Sequence, residues 1–215
     1  QAGCERLGLG WPGRALLEPE VLAVAAGAPA EAVLKIVLTR GDSGRGYAPG
    51  PAGPARRIVT AHPLPPALEQ PLTVGVCRTP LASSPAVQGL KHLGRLEQVL
   101  AARETAVAGW DEGLMLDAAS CVVEGTRHHL FFLRGNRLLT PPLAGLAVAG
   151  IMRAMLLESL PALGLDGGEG ELRYDALHEV DAMYLCNSVA GVRAVSRLDG
   201  RPLPEPGVAP WVGVS

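Results

Sequence analysis

The chain has 215 residues, 48% hydrophobic and 19% charged, with 27 glycines and 19 prolines. That length and apolar content bury a sizeable core and exclude a disordered, collagen-like or disulfide-stapled miniature chain. With Lys+Arg at 19 against Asp+Glu at 21 the net charge is −2, so no basic footprint points to nucleic acid or an anionic membrane, and the ligand to expect is small.

Cys4, Cys77, Cys121 and Cys186 form no C-x-x-C pair, which offers neither a zinc ribbon nor a redox motif and reads as isolated small hydrophobes in a reducing cytosol. The apolar stretch from Leu139 to Met152 is broken by Pro141 and Pro142, and no stretch reaches the roughly 20 residues of a membrane span. No signal peptide opens the chain. Gln1 runs straight into Ala2-Gly3-Cys4-Glu5-Arg6-Leu7, which reads as the middle of a helix, so a preceding N-terminal segment is expected.

A short helix is expected over Pro19 to Ala26 and a β-branched strand over Val33 to Thr39. Turn chemistry from Arg40 to Pro51 then makes a long hairpin loop, with Arg56 to Ala61 as the returning strand. His62-Pro63-Leu64-Pro65-Pro66 reads as a semi-rigid linker. The expected division is a small α/β domain over 1–62, a linker over 63–71 and a larger domain over 72–215.

In the larger part, strands are expected at Leu72 to Cys77, Gly113 to Leu116, Cys121 to Glu124, His129 to Arg134, Arg137 to Leu139, Ala182 to Cys186 and Val192 to Leu198. Helices are expected over Leu93 to Val107, with Leu93, Leu96, Val99 and Leu100 on one face, and over Val148 to Leu160. Many short strands with few helices give an α+β protein whose second domain is a barrel-like sheet.

The glycine loop Gly41 to Gly46 carries neither a Walker A lysine nor a dinucleotide fingerprint. It is a hairpin loop or an active-site rim carrying Tyr47. His128 and His129 point to opposite faces of a strand, which disfavours a shared metal. Asp111, Glu112, Asp175, Glu179 and Asp181 sit near element ends and read as capping or solvated carboxylates.

The informative stretch is Gly89-Leu90-Lys91-His92-Leu93-Gly94-Arg95-Leu96-Glu97-Gln98-Val99-Leu100, followed by Val122-Val123-Glu124-Gly125-Thr126. With L-K-I-V-L-T-R-G-D-S-G-R-G-Y (34–47), G-P-A-R-R-I (53–58), T-P-P-L (140–143), G-I-M-R (150–153) and C-N (186–187), it resembles the fold-type IV pyridoxal-phosphate enzymes. That family joins D-amino-acid and branched-chain aminotransferases with aminodeoxychorismate lyases, and these motifs resemble the lyase branch. The resemblance runs from Ala2 to about Ser196.

The resemblance implies a small α/β N-terminal domain and a larger barrel-like domain binding pyridoxal 5'-phosphate. Lys91 corresponds to the cofactor-bearing lysine, whose amine must lose its proton in a partly desolvated pocket. Glu124 corresponds to the carboxylate facing the pyridine nitrogen. The backbone N–H groups of Ile151 and Met152, at a helix start, and Asn187 with the Ser188 hydroxyl correspond to the phosphate side. Arg57 is the candidate grip on a substrate carboxylate, with Tyr47 on the rim. His129 stands where members commonly carry Asn, Gly94 where lyases often carry Asn, and the family's phosphate-binding arginine falls upstream of Gln1.

The implied activity is conversion of 4-amino-4-deoxychorismate to 4-aminobenzoate and pyruvate for folate synthesis, by a cytoplasmic homodimer. An aminotransferase on the same scaffold is the alternative, and a relative without cofactor is a third reading.

Overall fold

The structure, a computed structural model, describes residues 1–51, 53–66, 71–143 and 147–204. The chain separates into two compact units, Gln1–Pro66 and Ala67–Ser215.

In the first unit, α1 (Ala2–Arg6) and α2 (Arg14–Ala26) precede the antiparallel pair β1 (Ala32–Thr39) and β2 (Arg56–Pro63). The hairpin pairs Thr39 with Arg56 and Ala32 with Pro63. His62 and Pro63 therefore belong to a strand rather than to the expected linker. A two-stranded ribbon tolerates a terminal proline because its outer edge has no ladder donor to lose. Residues 67–70 of that linker lie outside the described residues. At the mouth of the hairpin loop the Arg40 guanidinium donates to the carbonyls of Leu7 and Gly8 at 3.0 and 2.7 Å, tying α1 to the ribbon.

The second unit holds a nine-stranded mixed sheet. Its strands are β3 (Leu72–Val76), β4 (Glu112–Leu116), β5 (Val122–Gly125), β6 (His129–Arg134), β7 (Arg137–Thr140), β8 (Asp166–Glu169), β9 (Ala182–Asn187), β10 (Gly191–Leu198) and β11 (Arg201–Pro202). The order is β5-β4-β3-β10-β9-β6-β7-β8, with β11 on β10. The path from β5 to β6 crosses four strands, which in a flat sheet would put them about 24 Å apart at ~4.8 Å per spacing. Yet Gly125 and His129, which bound the turn between them, are only four residues apart in the chain, a reach of at most about 14 Å. The sheet must curl, which gives the barrel-like form the sequence leads one to expect.

Strand alternation sorts the core. On β6, Leu130 and Phe132 point into one cluster with Leu72, Val74, Leu114 and Leu185, while Phe131 points into another with Leu156, Leu160 and Tyr184. Leu156 lies on α4 (Ile151–Ser159), so the odd-numbered face of β6 is the one that α4 covers. His129 shares that face and His128 does not.

Helix α3 (Leu96–Ala108) starts at Leu96 rather than at the expected Leu93. Its buried residues are Ala101 and Thr105, which pack near Cys77: the thiol donates to the Ala101 carbonyl at 3.5 Å. On the apolar face, Leu96 and Val99 are 71% and 62% exposed, and Leu93 ahead of the helix is 69% exposed. Small residues let the helix lie close to β4, leaving the larger apolar face outward.

Candidate functional site

Lys91 sits on an extended, exposed segment between a short 3-10 turn and α3. Two contacts fix that segment. Gly89 bridges the strand-like stretch at Val148, donating to Ala147 O at 3.1 Å and accepting from Ala149 N–H at 2.9 Å. Arg95, at the start of α3, folds back so that its guanidinium donates to the carbonyls of Leu90 and His92 at 2.6 and 3.3 Å. The carbonyls on either side of Lys91 are thus held by one cation. A cavity of about 400 Å3 beside this segment is lined by Leu90, His92, Arg95 and Gln98 but not by Lys91.

The same bridge reaches Glu124. Val148 N–H donates to Glu124 Oε2 at 3.1 Å, joining the Glu124 carboxylate to the stretch that pairs with Gly89. Glu124 is buried, and burial pushes its carboxyl up from the ordinary value, opposed by the Val148 bond, the charges of Arg95 and Lys91 and a bond from Gln98. The structure therefore brings the fields of Lys91 and Arg95 onto Glu124. Neither Arg95 nor Gln98 stood out in the sequence as a site residue, because inside a helix start both read as surface polar side chains.

His129 lies between Glu124 and the start of α4. Its Nδ1 is 3.9 Å from Glu124 Oε2, too far for a hydrogen bond. Its ring covers Gly150, where a Cβ would stand 2.1 Å from Nε2, so only glycine fits at that N-cap. Burial, with Arg153 and Lys91 nearby, lowers the His129 pKa to about 4. The ring is neutral at pH 7, and its approach to Glu124 is not an ion pair.

That shift makes a measurable claim. The folded value lies below the unfolded 6.5, so the stability His129 contributes is fully present above pH 6.5 and is lost as pH falls toward 4. At pH 4.5 the loss is about 2–3 kcal/mol at ~1.4 kcal/mol per unit. Urea unfolding of wild type and His129→Asn at pH 7 and pH 4.5 should show the variant losing less stability by that amount, and parallel losses would refute it.

Helix α4 has Gly150 as an N-cap with no side-chain cap bond, so the N–H groups of Ile151 and Met152 lack intrahelical acceptors. Asn187, at the end of β9, has its amide occupied on two turns: Oδ1 accepts from Val189 and Ala190 N–H of its own turn at 2.9 and 2.7 Å, and Nδ2 donates to Arg127 O, between β5 and β6, at 3.2 Å. Ser188 beside it is exposed.

Arg57 and Tyr47 belong to the first unit. The Arg57 guanidinium is occupied, donating through Nε to both oxygens of Glu20 at 3.0 and 2.9 Å and through Nη2 to Oε1 at 2.8 Å. A substrate carboxylate would have to displace Glu20. Tyr47 is fully exposed on the hairpin loop.

Glu112 corrects the reading of element-end carboxylates as capping or solvated. It is wholly buried and meets His128 Nδ1, the Thr126 hydroxyl and two backbone N–H groups. Asp111 and Asp181 do close strand ends, accepting from Thr73 and Gly135 N–H at 2.8 and 2.6 Å. Among the described residues no group of three His, Cys, Asp or Glu side chains is placed to hold a metal.

A curled sheet with an uncapped helix start, a buried carboxylate and a lysine segment held against the same stretch defines a class of protein. The chain belongs to the amino-transferase class IV family, which matches residues 1–198. It is 36% identical over 168 residues to an aminodeoxychorismate lyase of Vibrio harveyi, covering 76% of this chain and 62% of that protein. A Methanocaldococcus jannaschii protein, named as a candidate branched-chain-amino-acid aminotransferase, is 31% identical over 80% of this chain and 60% of its own length. Both figures mean that the chain spans about three fifths of these relatives. Among solved structures, a 4-amino-4-deoxychorismate lyase of Pseudomonas aeruginosa superposes with a TM-score of 0.88 at 40% identity, covering 96% of this chain and 77% of that one. A Thermoproteus uzoniensis branched-chain aminotransferase superposes at 0.87 with 23% identity over 96% of this chain and 71% of that one, which shows the shared fold.

Proposed function

We propose that this chain carries the catalytic residues of a pyridoxal-phosphate-dependent lyase that converts 4-amino-4-deoxychorismate to 4-aminobenzoate and pyruvate in folate biosynthesis. The observation that carries it is the buried Glu124 carboxylate, bonded to Val148 N–H and lying in the fields of Lys91 and Arg95. The lyase reading is preferred to an aminotransferase because identity to the solved lyase reaches 40%, against 23% for the solved aminotransferase of equal fold similarity.

The donor set suits the cofactor. The uncapped N–H groups of Ile151 and Met152 favour an anion, and with the Ser188 hydroxyl they would hold the phosphate, while the Asn187 amide shapes the Ser188 turn. Glu124 would face the ring nitrogen and Lys91 would carry the carbonyl carbon. When bound, pyridoxal phosphate supplies a sink for the electron pair left at the substrate carbon. Freed by the incoming 4-amino group of the substrate, Lys91 Nζ would take the proton from C4; the ether bond between the ring and the enolpyruvyl oxygen then breaks with departure of enolpyruvate, and Lys91 returns the proton to the methylene carbon of the released enolpyruvate. Aromatisation drives that departure, and substrate atoms are conserved between 4-aminobenzoate and pyruvate without water or an amino acceptor. Neutral His129 covers the α4 start and adds no charge beside Glu124. Arg57 and Tyr47 are kept as substrate-side candidates, Arg57 on condition that Glu20 yields.

The exposed Leu93, Leu96 and Val99 support a second copy of the chain as partner, giving a homodimer. The four unpaired cysteines fit a reducing, cytoplasmic setting, and among the described residues no helix is long and apolar enough to cross a membrane.

The test is incubation of the protein and cofactor with 4-amino-4-deoxychorismate alone, following pyruvate through lactate dehydrogenase. Equal amounts of pyruvate and 4-aminobenzoate over many turnovers are expected. No pyruvate, with the cofactor aminated once by a branched-chain or D-amino acid and then stalled, would move the assignment to the aminotransferase.

A further inference from the structure

We propose that Glu112 is a positioning residue for the cofactor site, holding the Gly125–His128 turn so that Glu124, His129 and Asn187 keep their places around it. The carboxylate gathers donors from the whole turn. Glu112 Oε1 accepts from Gly113 N–H at 2.9 Å, from Thr126 N–H at 3.0 Å and from the Thr126 hydroxyl. Oε2 meets His128 Nδ1, and Arg127 Nε stands 3.8 Å away.

The side chain also lies flat on the turn. A Cβ at Gly125 would come within 3.1 Å of both Cγ and Cδ of Glu112, so any side chain there would require the Glu112 side chain to shift by a few tenths of an ångström. The turn closes on itself through Gly125 N–H to His128 O at 2.7 Å. From the opposite side Asn187 Nδ2 donates to Arg127 O at 3.2 Å.

Burial alone pushes the Glu112 carboxyl up, but the His128 contact, the Thr126 hydroxyl and the Gly113 N–H outweigh it and hold it below the ordinary value. A buried carboxylate is kept only while all these donors converge, so the turn is pinned to one geometry. Glu124 immediately precedes the pinned turn and His129 immediately follows it, and the His129 ring rests on the Gly150 cap of α4. Loosening Glu112 would therefore disturb the ring-nitrogen side and the phosphate side together. His128 Nε2 is buried with no hydrogen-bond partner, so the imidazole's one polar contact here is the carboxylate.

The proposal rests on reading Glu124 and α4 as the cofactor site, and its first test is independent of cofactor. Hydrogen exchange is measured on the cofactor-free chain for wild type, E112Q and E104Q. Glu104 is a control elsewhere in the same unit, accepting from Arg78 and Thr79 N–H at 2.7 and 3.1 Å. In E112Q, exchange should rise at least about tenfold in peptides covering 124–129 and 186–190, with the rest of the sheet unchanged. E104Q should change neither peptide.

With pyridoxal phosphate added, E112Q should need at least about fivefold more cofactor for half-saturation and shift the pH midpoint of the bound chromophore, while E104Q matches wild type. Unchanged exchange at the turn, or a uniform rise across the sheet, overturns the proposal. If E112Q does not fold, T126V removes one donor from the same carboxylate and should show both effects at smaller amplitude; wild-type values in T126V overturn it. A wild-type chain that takes up no cofactor, while E112Q still loosens the turn locally, would instead overturn the cofactor assignment and leave the turn's dependence on Glu112 standing.

Discussion

Lys91→Ala should lower turnover at least about a thousandfold, because one amine serves both as cofactor attachment and as proton carrier. Stability should hardly move. Lys91 is exposed, and its segment is held by the Gly89 bridge and by the Arg95 bonds to Leu90 and His92. Surface truncations of that kind stay within about 0.5 kcal/mol. Borohydride reduction followed by peptide mapping separates the two effects: a pyridoxyl adduct is expected on the Lys91 peptide of wild type and nowhere in the folded variant. A variant with the wild-type melting temperature and wild-type turnover would remove Lys91 from the mechanism.

Glu124→Gln should separate stability from activity in opposite directions. Burial raises the folded pKa of Glu124 above 4.5, so its favourable contribution is complete below pH 4.5 and disappears as pH rises through the folded value. Ionising Glu124 in the cofactor-free wild type costs the desolvation of a buried charge, and a neutral amide avoids that cost while its Oε1 still accepts from Val148 N–H. The cofactor-free variant should melt at the same temperature or higher. Turnover should nevertheless fall at least about tenfold, since losing one pKa unit of charge stabilisation costs about 1.4 kcal/mol. Melting curves of the cofactor-free proteins at pH 7, paired with kcat at saturating cofactor, check both halves. Lower melting with unchanged kcat would show that Glu124 is structural and that another group faces the ring.

The motifs around Lys91 and Glu124 made the family legible, because the resemblance rests on short local stretches of sequence; Lys91 and Glu124 are candidates through that resemblance. The strands were legible from short local runs: β6 matches its expected range because His129–Arg134 holds a run of large apolar residues ended by the Arg134-Gly135 turn. β8 was not, since Asp166-Gly167-Gly168-Glu169 has no apolar alternation and pairs with β7 through its main chain. Which face of α3 turns inward was not legible: its leucines mark an apolar face that suits a core or an interface alike, whereas close packing on β4 rewards the smaller Ala101.

What the sequence by itself determined is the strand-rich α+β plan, from local patterns of residue type, and the family with its candidate lysine and carboxylate, from resemblance to known motifs. Tertiary structure alone decided how the side chains around them are used. Arg95 turns back onto the carbonyls flanking Lys91, His129 is desolvated over Gly150, Arg57 is taken by Glu20, and Glu112 is buried against a turn more than ten residues away. The Arg95 turn closes over a few residues, whereas the others depend on a partner distant in the chain or on loss of water, which arise only when the chain folds and brings those segments together.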